Sequence, residues 1–213
     1  METELKYLAA DDRILERLAD LPGLGPARLG PARVTHERDR YLDTVDRRLA
    51  AQRWACRLRT RDAETIVSLK GPAAPAQPDD PAALHRRPEI EGPASEALDP
   101  RRWPASAARD ELLALSAGAP LVEQLRLEQE RRQRDVLLDG TRAGEVSLDL
   151  VSVLVGERPL GRLRAVELEL DATRAPDATS VRRLDRALRD LGGLEADPRS
   201  KLEHALAMLA AAV

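Results

Sequence analysis

Glutamates recur at a spacing of two in a pair of short Glu-x-Glu motifs. One opens the chain with Glu2 and Glu4, followed by Lys6, and the other holds Glu167 and Glu169. Residues two apart in a strand share a face and lie ~7 Å apart, so each motif offers two carboxylates on one side. If the two strands are neighbours, four carboxylates converge, and their mutual repulsion calls for a hard cation such as Mg²⁺ or Mn²⁺.

Basic side chains follow the same two-residue period along other segments. Arginine suits phosphate oxygens because its planar fork can donate two parallel hydrogen bonds. A chain of phosphates bridged to a metal ion would therefore suit a cavity lined by both kinds of residue. The basic residues on these charged faces are Lys6, Arg57, Arg59, Lys70, Arg87, Arg132 and Arg134.

Composition narrows the class of protein. The 34 basic and 37 acidic residues nearly cancel to a net charge of −3, which argues against a general nucleic-acid surface. The single cysteine, Cys56, excludes an internal disulfide and a cysteine zinc site. No apolar run approaches the ~20 residues of a membrane span, and the N-terminus is acidic, unlike a signal peptide. We therefore expect a cytoplasmic protein with no membrane or nucleic-acid partner.

Alternation of apolar and charged residues predicts mostly strands, which would have to position these groups. There is no alternating βαβ order and no GxGxxG or GxxxxGK[ST] motif, so a Rossmann-type parallel sheet is disfavoured. A closed barrel of about eight strands can enclose a small ligand. We predict strands at 2–8, 34–44, 53–61, 64–70, 124–138, 143–155 and 163–170 and around 87–91, and helices near 12–21, 106–117, 177–191 and 199–212.

Taken in order, these motifs resemble the CYTH superfamily, the triphosphate tunnel metalloenzymes. The N-terminal ETELK matches the family's ExExK signature, which alone is a weak pattern; the ordered set is specific. The resemblance continues through YLDT (41–44), ACRLR (55–59), IVSLKGP (66–72), RPEIE (87–91), R-x-R (132–134), SLD (147–149), VELEL (166–170) and RSK (199–201).

This resemblance implies a single domain over residues 1–213 with an α+β fold, an eight-stranded antiparallel β-barrel (tunnel) with flanking α-helices. It implies that Glu2, Glu4, Glu167 and Glu169 hold the metal, with Asp149 as a further candidate, and that these four glutamates and Lys6 are catalytic. Phosphate oxygens would be bound by Lys6, Arg57, Arg59, Lys70, Arg87, Arg132, Arg134 and Lys201. Glu89 and Glu145 are expected to face inward without an assigned role, and the direction of Glu128 and Glu130 is left open.

The function implied is metal-dependent hydrolysis of inorganic tripolyphosphate or a related organic triphosphate, with Mg²⁺ or Mn²⁺. A thiamine triphosphatase and a class IV adenylate cyclase are alternatives within the family. The cyclase is disfavoured because aromatic residues, which hold a base, make up only 2% of the chain. A non-catalytic polyphosphate-binding module is the alternative from another class. The preferred triphosphate, the metal and the choice between monomer and homodimer stay open.

The remaining candidate residues have structural interpretations. We predict that His36, His85 and His204 lie at the surface, with His85 able to reach a tunnel mouth. Cys56 should pack under a helix, because its side chain points away from the neighbouring arginines. Arg53 and Arg61, at the ends of their strand, are expected at the tunnel mouth or the surface, and Trp54 and Trp103 in the core or at helix–barrel contacts.

Overall fold

A computed structural model describes residues 1–173, 176–197 and 199–212. Its helices are α1 (Asp12–Ala19), α2 (Arg48–Ala51), α3 (Ala107–Leu115), α4 (Ala178–Asp190) and α5 (Lys201–Ala211), with a 3₁₀ turn at Pro100–Arg102. Its strands are β1 (Glu2–Ala9), β2 (Gly23–Leu24), β3 (Ala27–Leu29), β4 (Arg33–Thr44), β5 (Ala55–Arg61), β6 (Glu64–Lys70), β7 (Leu84–Arg87), β8 (Glu89–Pro93), β9 (Leu121–Leu138), β10 (Thr141–Val155), β11 (Arg158–Leu170) and β12 (Leu194–Ala196).

Antiparallel pairing closes the sheet into a barrel. The order is β1-β11-β10-β9-β4-β5-β6-β8, and β7 pairs with β1. Pro88 separates β7 from β8, and because proline has no N–H to donate, it suits the point where the chain leaves one neighbour for the other. β7 and β8 together thus form the eighth strand, which joins the two edges. The predicted α+β fold, with an eight-stranded antiparallel barrel and flanking helices, is confirmed.

The apolar faces of most strands point outward, where helices cover them. On β1, Leu5 and Tyr7 are buried outside the barrel, and α4 packs there with Val181 and Leu184. The Tyr7 hydroxyl donates to Asp185 Oδ1 at 2.7 Å, which fixes α4 against β1. A second outer cluster lies under α3 and holds Cys56, Leu58, Leu69, Trp103 and Leu112. The expected places of Cys56 and Trp103 are confirmed, and the interior is left to charged residues.

One end of the barrel interior is apolar. Leu125 and Leu127 of β9 and Val151 and Val153 of β10 are buried together with Ala205 of α5. The two β9 leucines share the inward face with Arg131, since successive residues of a strand alternate between faces. Helix α5 therefore closes this end of the barrel, and we call the five residues the apolar plug. The charged part of the interior lies between the plug and the open end.

Several short or irregular features differ from the predictions. Residues 22–33, where no strand or helix is predicted, contain the β2–β3 hairpin, and α2 and β12 are too short to give a periodic signal. His36 is exposed as predicted and His85 is half-buried, but His204 is only 6% exposed, so its surface prediction is wrong. Its ring packs against Asp197 under the start of α5. Within the described ranges, no helix has the length and apolarity to span a membrane.

Candidate active site in the barrel

The two Glu-x-Glu motifs lie on neighbouring strands. β1 pairs with β11 in a register that sets Glu4 opposite Glu169 and Lys6 opposite Glu167. Because residues directly opposite in a sheet point to the same face, the four glutamates face the interior together. Glu4 is 4% exposed, while Glu169 is exposed at the open end of the barrel. The condition for a carboxylate cluster, namely that the two strands are adjacent, is met.

Two cavities occupy the charged interior and differ in electrostatic character. The first, of about 200 Å³, is lined by nine glutamates and five basic residues and lies toward the open end. The second, of about 40 Å³, lies beside the start of α5 and is lined by two glutamates, Glu4 and Glu167, and five basic residues. These five are Lys6, Arg57, Lys70, Arg87 and Lys201. The charged interior is therefore acidic at the open end of the barrel, which we call the acidic mouth. It is basic beside the start of α5, which we call the basic floor.

Glu2 is neutralised by two basic side chains. Its Oε1 accepts from Lys70 Nζ at 2.6 Å, and its Oε2 accepts from Arg87 Nε at 2.7 Å. Burial alone would raise the pKa of Glu2, but Lys70 and Arg87 outweigh it and hold the pKa at about 2. Lys70 Nζ also lies 3.1 Å from Glu89 Oε1, which confirms that Glu89 faces inward.

The charges of Glu4 and Glu169 are less completely neutralised by basic side chains than the charge of Glu2. Burial, together with Glu167 and Glu2, raises the pKa of Glu4 to about 7, although Arg87 Nη2 donates to Glu4 Oε1 at 3.2 Å. Partial removal from water, followed by repulsion from Glu2, also raises the pKa of Glu169. Negative charge is therefore in excess here, and a cation would relieve it.

This group of carboxylates fits a hard divalent cation by its chemistry, since Mg²⁺ and Mn²⁺ prefer oxygen ligands. Across residues 1–173, 176–197 and 199–212, however, no three His, Cys, Asp or Glu side chains are arranged to hold a metal ion. Lys70 and Arg87 occupy the oxygens of Glu2 instead. Ligation by Glu2 would therefore require these two basic groups to move to another anion.

The raised pKa of Glu4, about 7, predicts a pH dependence of cation binding. Below that pH, Glu4 is protonated and a cation must displace the proton, so affinity should rise with pH through about 7. Between about pH 4.5 and 7, Glu4 keeps its proton in the folded protein but not in the unfolded chain, so the contribution of Glu4 to the free energy of unfolding should fall as pH rises through that window. Mn²⁺ titrations from pH 5.5 to 8.5 check the first effect. The Glu4→Gln variant should lose most of the dependence, and a pH-independent affinity of the wild type would contradict the assignment.

Asp149, a further candidate metal ligand, is fully buried and engaged by basic groups. Arg131 donates from Nε to Oδ1 at 2.9 Å and from Nη2 to Oδ2 at 3.1 Å. Lys201 Nζ donates to Asp149 Oδ2 at 2.6 Å and to Glu167 Oε2 at 2.7 Å. Asp149 is thus placed to orient Arg131 and Lys201, and the geometry does not favour it as a metal ligand. Burial would raise the pKa of Glu167, but Lys201 and Arg131 hold it well below its usual range.

A buried network on β4 was not predicted from the sequence. Asp39, which is 0% exposed, accepts from Arg59 Nε and Nη2, both at 2.7 Å, and Arg59 Nη1 lies 3.0 Å from Glu37 Oε2. Gln129 Nε2 donates to both carboxylates at 3.1 and 3.0 Å. Burial alone would raise the pKa of Asp39, but Arg57 and Arg59 hold it well below its usual range. Asp39 orients Arg59, as the alternation of acidic residues along β4 could have indicated.

The predicted tunnel positions of Arg132 and Arg134 are wrong. The Arg132 side chain is 38% exposed outside the barrel and lies 3.7 Å from Glu130. Arg134 donates to the backbone carbonyls of Gly30 and Leu21 at 2.7 and 2.6 Å, which ties β9 to the hairpin and the end of α1. The inward arginine of β9 is Arg131, which is 9% exposed. Glu128 and Glu130 share the outer face, with side chains 53% and 40% exposed.

Arg131 and Arg132 are adjacent on β9 but lie on opposite faces, so replacing each in turn tests which face lines the tunnel. Arg131→Ala removes one partner from a buried group of charges, so we expect a loss of about 3–5 kcal/mol in the free energy of unfolding, together with weaker binding of tripolyphosphate. Arg132→Ala should change stability by no more than about 0.5 kcal/mol and leave binding unchanged, as usual for a surface substitution. Denaturant unfolding and ligand titration check both. Similar effects of the two variants would contradict the inward placement of Arg131.

Comparison with known proteins agrees with this geometry. The CYTH domain family model matches residues 1–201. No curated protein sequence matches the chain. A candidate adenylyl cyclase from Hippeastrum, described as having a dominant triphosphatase activity, has a similar structure with a TM-score of 0.70 at 19% identity, over 97% of this chain and 96% of that one.

Two microbial structures are also similar. A candidate adenylate cyclase from Bacillus halodurans superimposes with a TM-score of 0.64 at 21% identity, over 96% of both chains. A protein from Pyrococcus horikoshii OT3, named without a function, gives 0.59 at 24% identity, over 97% of this chain and 99% of that one. These structural likenesses show the fold, and the family match shows the lineage. The chain belongs to the CYTH domain family.

Proposed function

We propose that this protein is a metal-dependent triphosphatase that hydrolyses inorganic tripolyphosphate, or a related organic triphosphate, inside its barrel. The observation that carries the proposal is the division of the interior into an acidic mouth and a basic floor. A phosphate chain bridged to a cation has the complementary charge distribution. Membership of the CYTH family supports this assignment, as does the triphosphatase activity described for the Hippeastrum protein. We also propose that residues 1–213 form a single domain of this kind.

Substrate binding would exchange the partners of the basic side chains. Lys70 and Arg87 now neutralise Glu2, and Lys201 neutralises Glu167. Phosphate oxygens can take over these charge-assisted hydrogen bonds, and arginine is well suited to do so because of its planar fork. The groups that we assign to phosphate are Lys6, Arg57, Lys70, Arg87, Arg131 and Lys201, together with Arg59, which Asp39 orients.

Once this exchange has freed Glu2 and Glu167, four inward carboxylates would hold the cation. Glu2, Glu4, Glu167 and Glu169 form this set, and bound Mg²⁺ or Mn²⁺ would supply charge neutralisation and a more acidic water. A carboxylate of the interior that does not bind the cation would accept the proton from this water. Such a reaction needs no protein nucleophile. Cys56 packs outside the barrel under α3, and His204 is paired with Asp197.

The placement of the aromatic residues favours an inorganic substrate over a nucleotide or thiamine triphosphate. Tyr7 packs outside the barrel against α4, and Trp54 and Trp103 pack under α3. Tyr41 packs in the apolar plug, lines one side of the smaller, basic cavity and is 8% exposed. The described lining of the larger cavity includes no aromatic ring. That cavity, of about 200 Å³, is also smaller than the ~300–1,000 Å³ typical of pockets for drug-sized ligands.

Phosphate release from tripolyphosphate, ATP and thiamine triphosphate, each with Mg²⁺ and with Mn²⁺, tests the proposal. We expect the highest kcat/KM with tripolyphosphate and no cyclic nucleotide from ATP. A preference for thiamine triphosphate, or formation of cyclic AMP, would favour the other family activities. Tight binding of tripolyphosphate without turnover would instead identify a polyphosphate-binding module.

A further inference from the structure

Asp197 and His204 form a buried pair beneath the basic cavity. They are 5% and 6% exposed, and His204 Nε2 lies 2.8 and 3.0 Å from the two carboxylate oxygens of Asp197. Because a carboxylate only accepts hydrogen bonds, Nε2 carries the proton. Neither residue lines the cavity, so substrate would not touch them.

Asp197 links the barrel to the residues that precede α5. Its backbone N–H donates to the Lys6 carbonyl of β1 at 3.0 Å. Its Oδ1 accepts from the Arg199 backbone N–H at 3.1 Å. His204, in the first turns of α5, holds the same carboxylate from the helix side. Asp197 therefore connects three parts of the chain: its backbone N–H bonds β1, and its carboxylate bonds Arg199 and α5.

Two cavity lysines depend on these connections. Lys6 Nζ donates to the Arg199 carbonyl. Lys201 is the first residue of α5, and its ammonium bonds Asp149 and Glu167. Lys6 is also directly opposite Glu167 in the sheet. Lys201 contacts Glu167 directly and Lys6 Nζ is held by the Arg199 carbonyl, so both ammonium groups depend on the segment that Asp197 and His204 hold.

We propose that Asp197 and His204 are positioning residues that hold Lys6 and Lys201 in the geometry needed to bind phosphate. The effect of this positioning on substrate binding rests on the proposed function. Displacement of a binding group by about 1 Å can cost on the order of a hundredfold in rate, so groups outside the cavity can control catalysis through placement alone.

The alternative is that this pair merely stabilises α5. The helix has other supports: Ser200 and Glu203 form a reciprocal capping box, and Ala205 and Leu206 pack into the apolar plug. A variant that loses the His204 hydrogen bond should therefore keep the helix. Leu206→Ala weakens the packing of α5 without touching Asp197, so it is a matched control for general loosening of the helix.

Chemical acylation of lysines, read by mass spectrometry on the full chain, measures lysine placement without any assay of function. The chain has three lysines, Lys6, Lys70 and Lys201, so each can be followed separately. In His204→Ala we expect labelling of Lys6 and Lys201 to rise on the order of tenfold relative to Lys70, through easier local opening. His204→Gln, whose amide can still donate to Asp197, should restore labelling close to wild type. Equal labelling in wild type and His204→Ala, or the same pattern in Leu206→Ala, would overturn the proposal.

Steady-state kinetics then test whether the placement of the two lysines affects substrate binding. His204→Ala should raise KM for tripolyphosphate on the order of tenfold. It should have a smaller effect in a Lys201→Met background, where only the part that acts through Lys6 is left, because effects that act through one group are not additive. Full additivity would overturn the positioning role. If the wild type neither binds nor hydrolyses tripolyphosphate, the proposed function fails, while the labelling experiment still decides how the lysines are held.

Discussion

Glu4→Gln is expected to retain the fold but lose at least about a thousandfold in tripolyphosphate hydrolysis, and Glu169→Gln should behave alike. An amide is a much weaker ligand for a hard cation than a carboxylate, and loss of metal-assisted charge stabilisation costs several kcal/mol. Above pH 7 the Glu4 variant should be at least as stable as wild type. The reason is that its uncharged side chain avoids the repulsion by Glu167 and Glu2 that raises the pKa of Glu4.

Rates of phosphate release and thermal unfolding of each variant check this prediction. Glu128→Gln is the matched control, because its side chain is 53% exposed on the outer face of β9. It should retain wild-type rates. Full activity in both the Glu4 and the Glu169 variants would rule out the metal assignment, even if the family membership stands.

Lys70→Arg and Lys201→Arg should each weaken tripolyphosphate binding on the order of a hundredfold, although they keep the charge. The chain has 31 arginines and three lysines, and all three lysines lie in the barrel interior. A lysine ammonium is a compact point charge, whereas a guanidinium is a wide planar fork, so the two are not interchangeable in a confined site. At Lys201, which is 8% exposed between Asp149 and Glu167, the larger group would also overpack the floor of the cavity.

Ligand titration and steady-state kinetics measure the effect, and Arg132→Lys is the control, since Arg132 lies on the outer face. It should bind tripolyphosphate like the wild type. Wild-type affinity in both lysine variants would show that charge alone matters and that the interior does not select the ammonium group.

Sequence alternation predicted the inward faces of β1, β5, β6, β10 and β11 because each strand has one apolar face and one charged face. The barrel class followed from the number of such strands and the absence of βαβ order. Alternation alone predicts that Glu4 and Glu169 converge only if their strands are neighbours, because strand adjacency is a property of the closed sheet. The family resemblance, which rests on the order of the motifs, predicts that the two strands are neighbours.

β9 shows where this reasoning fails. Both of its faces carry charge, and the prediction that Arg132 and Arg134 face inward is wrong. The true inward face includes Leu125 and Leu127, which are buried in the plug closed by α5. An apolar stretch inside a charged barrel could not be foreseen without the position of that helix. His204 was misplaced for the same reason, since its burial depends on how α5 docks against Asp197.

The most direct test of the central claim is calorimetric titration of the full chain with tripolyphosphate, with and without Mg²⁺, at two salt concentrations. We expect one site per chain, tighter binding with Mg²⁺, and affinity that falls steeply as salt rises, because contacts between basic groups and phosphate compete with ions in solution. Absence of binding, or an affinity unchanged by both Mg²⁺ and salt, would contradict the assignment of the barrel interior as a triphosphate site.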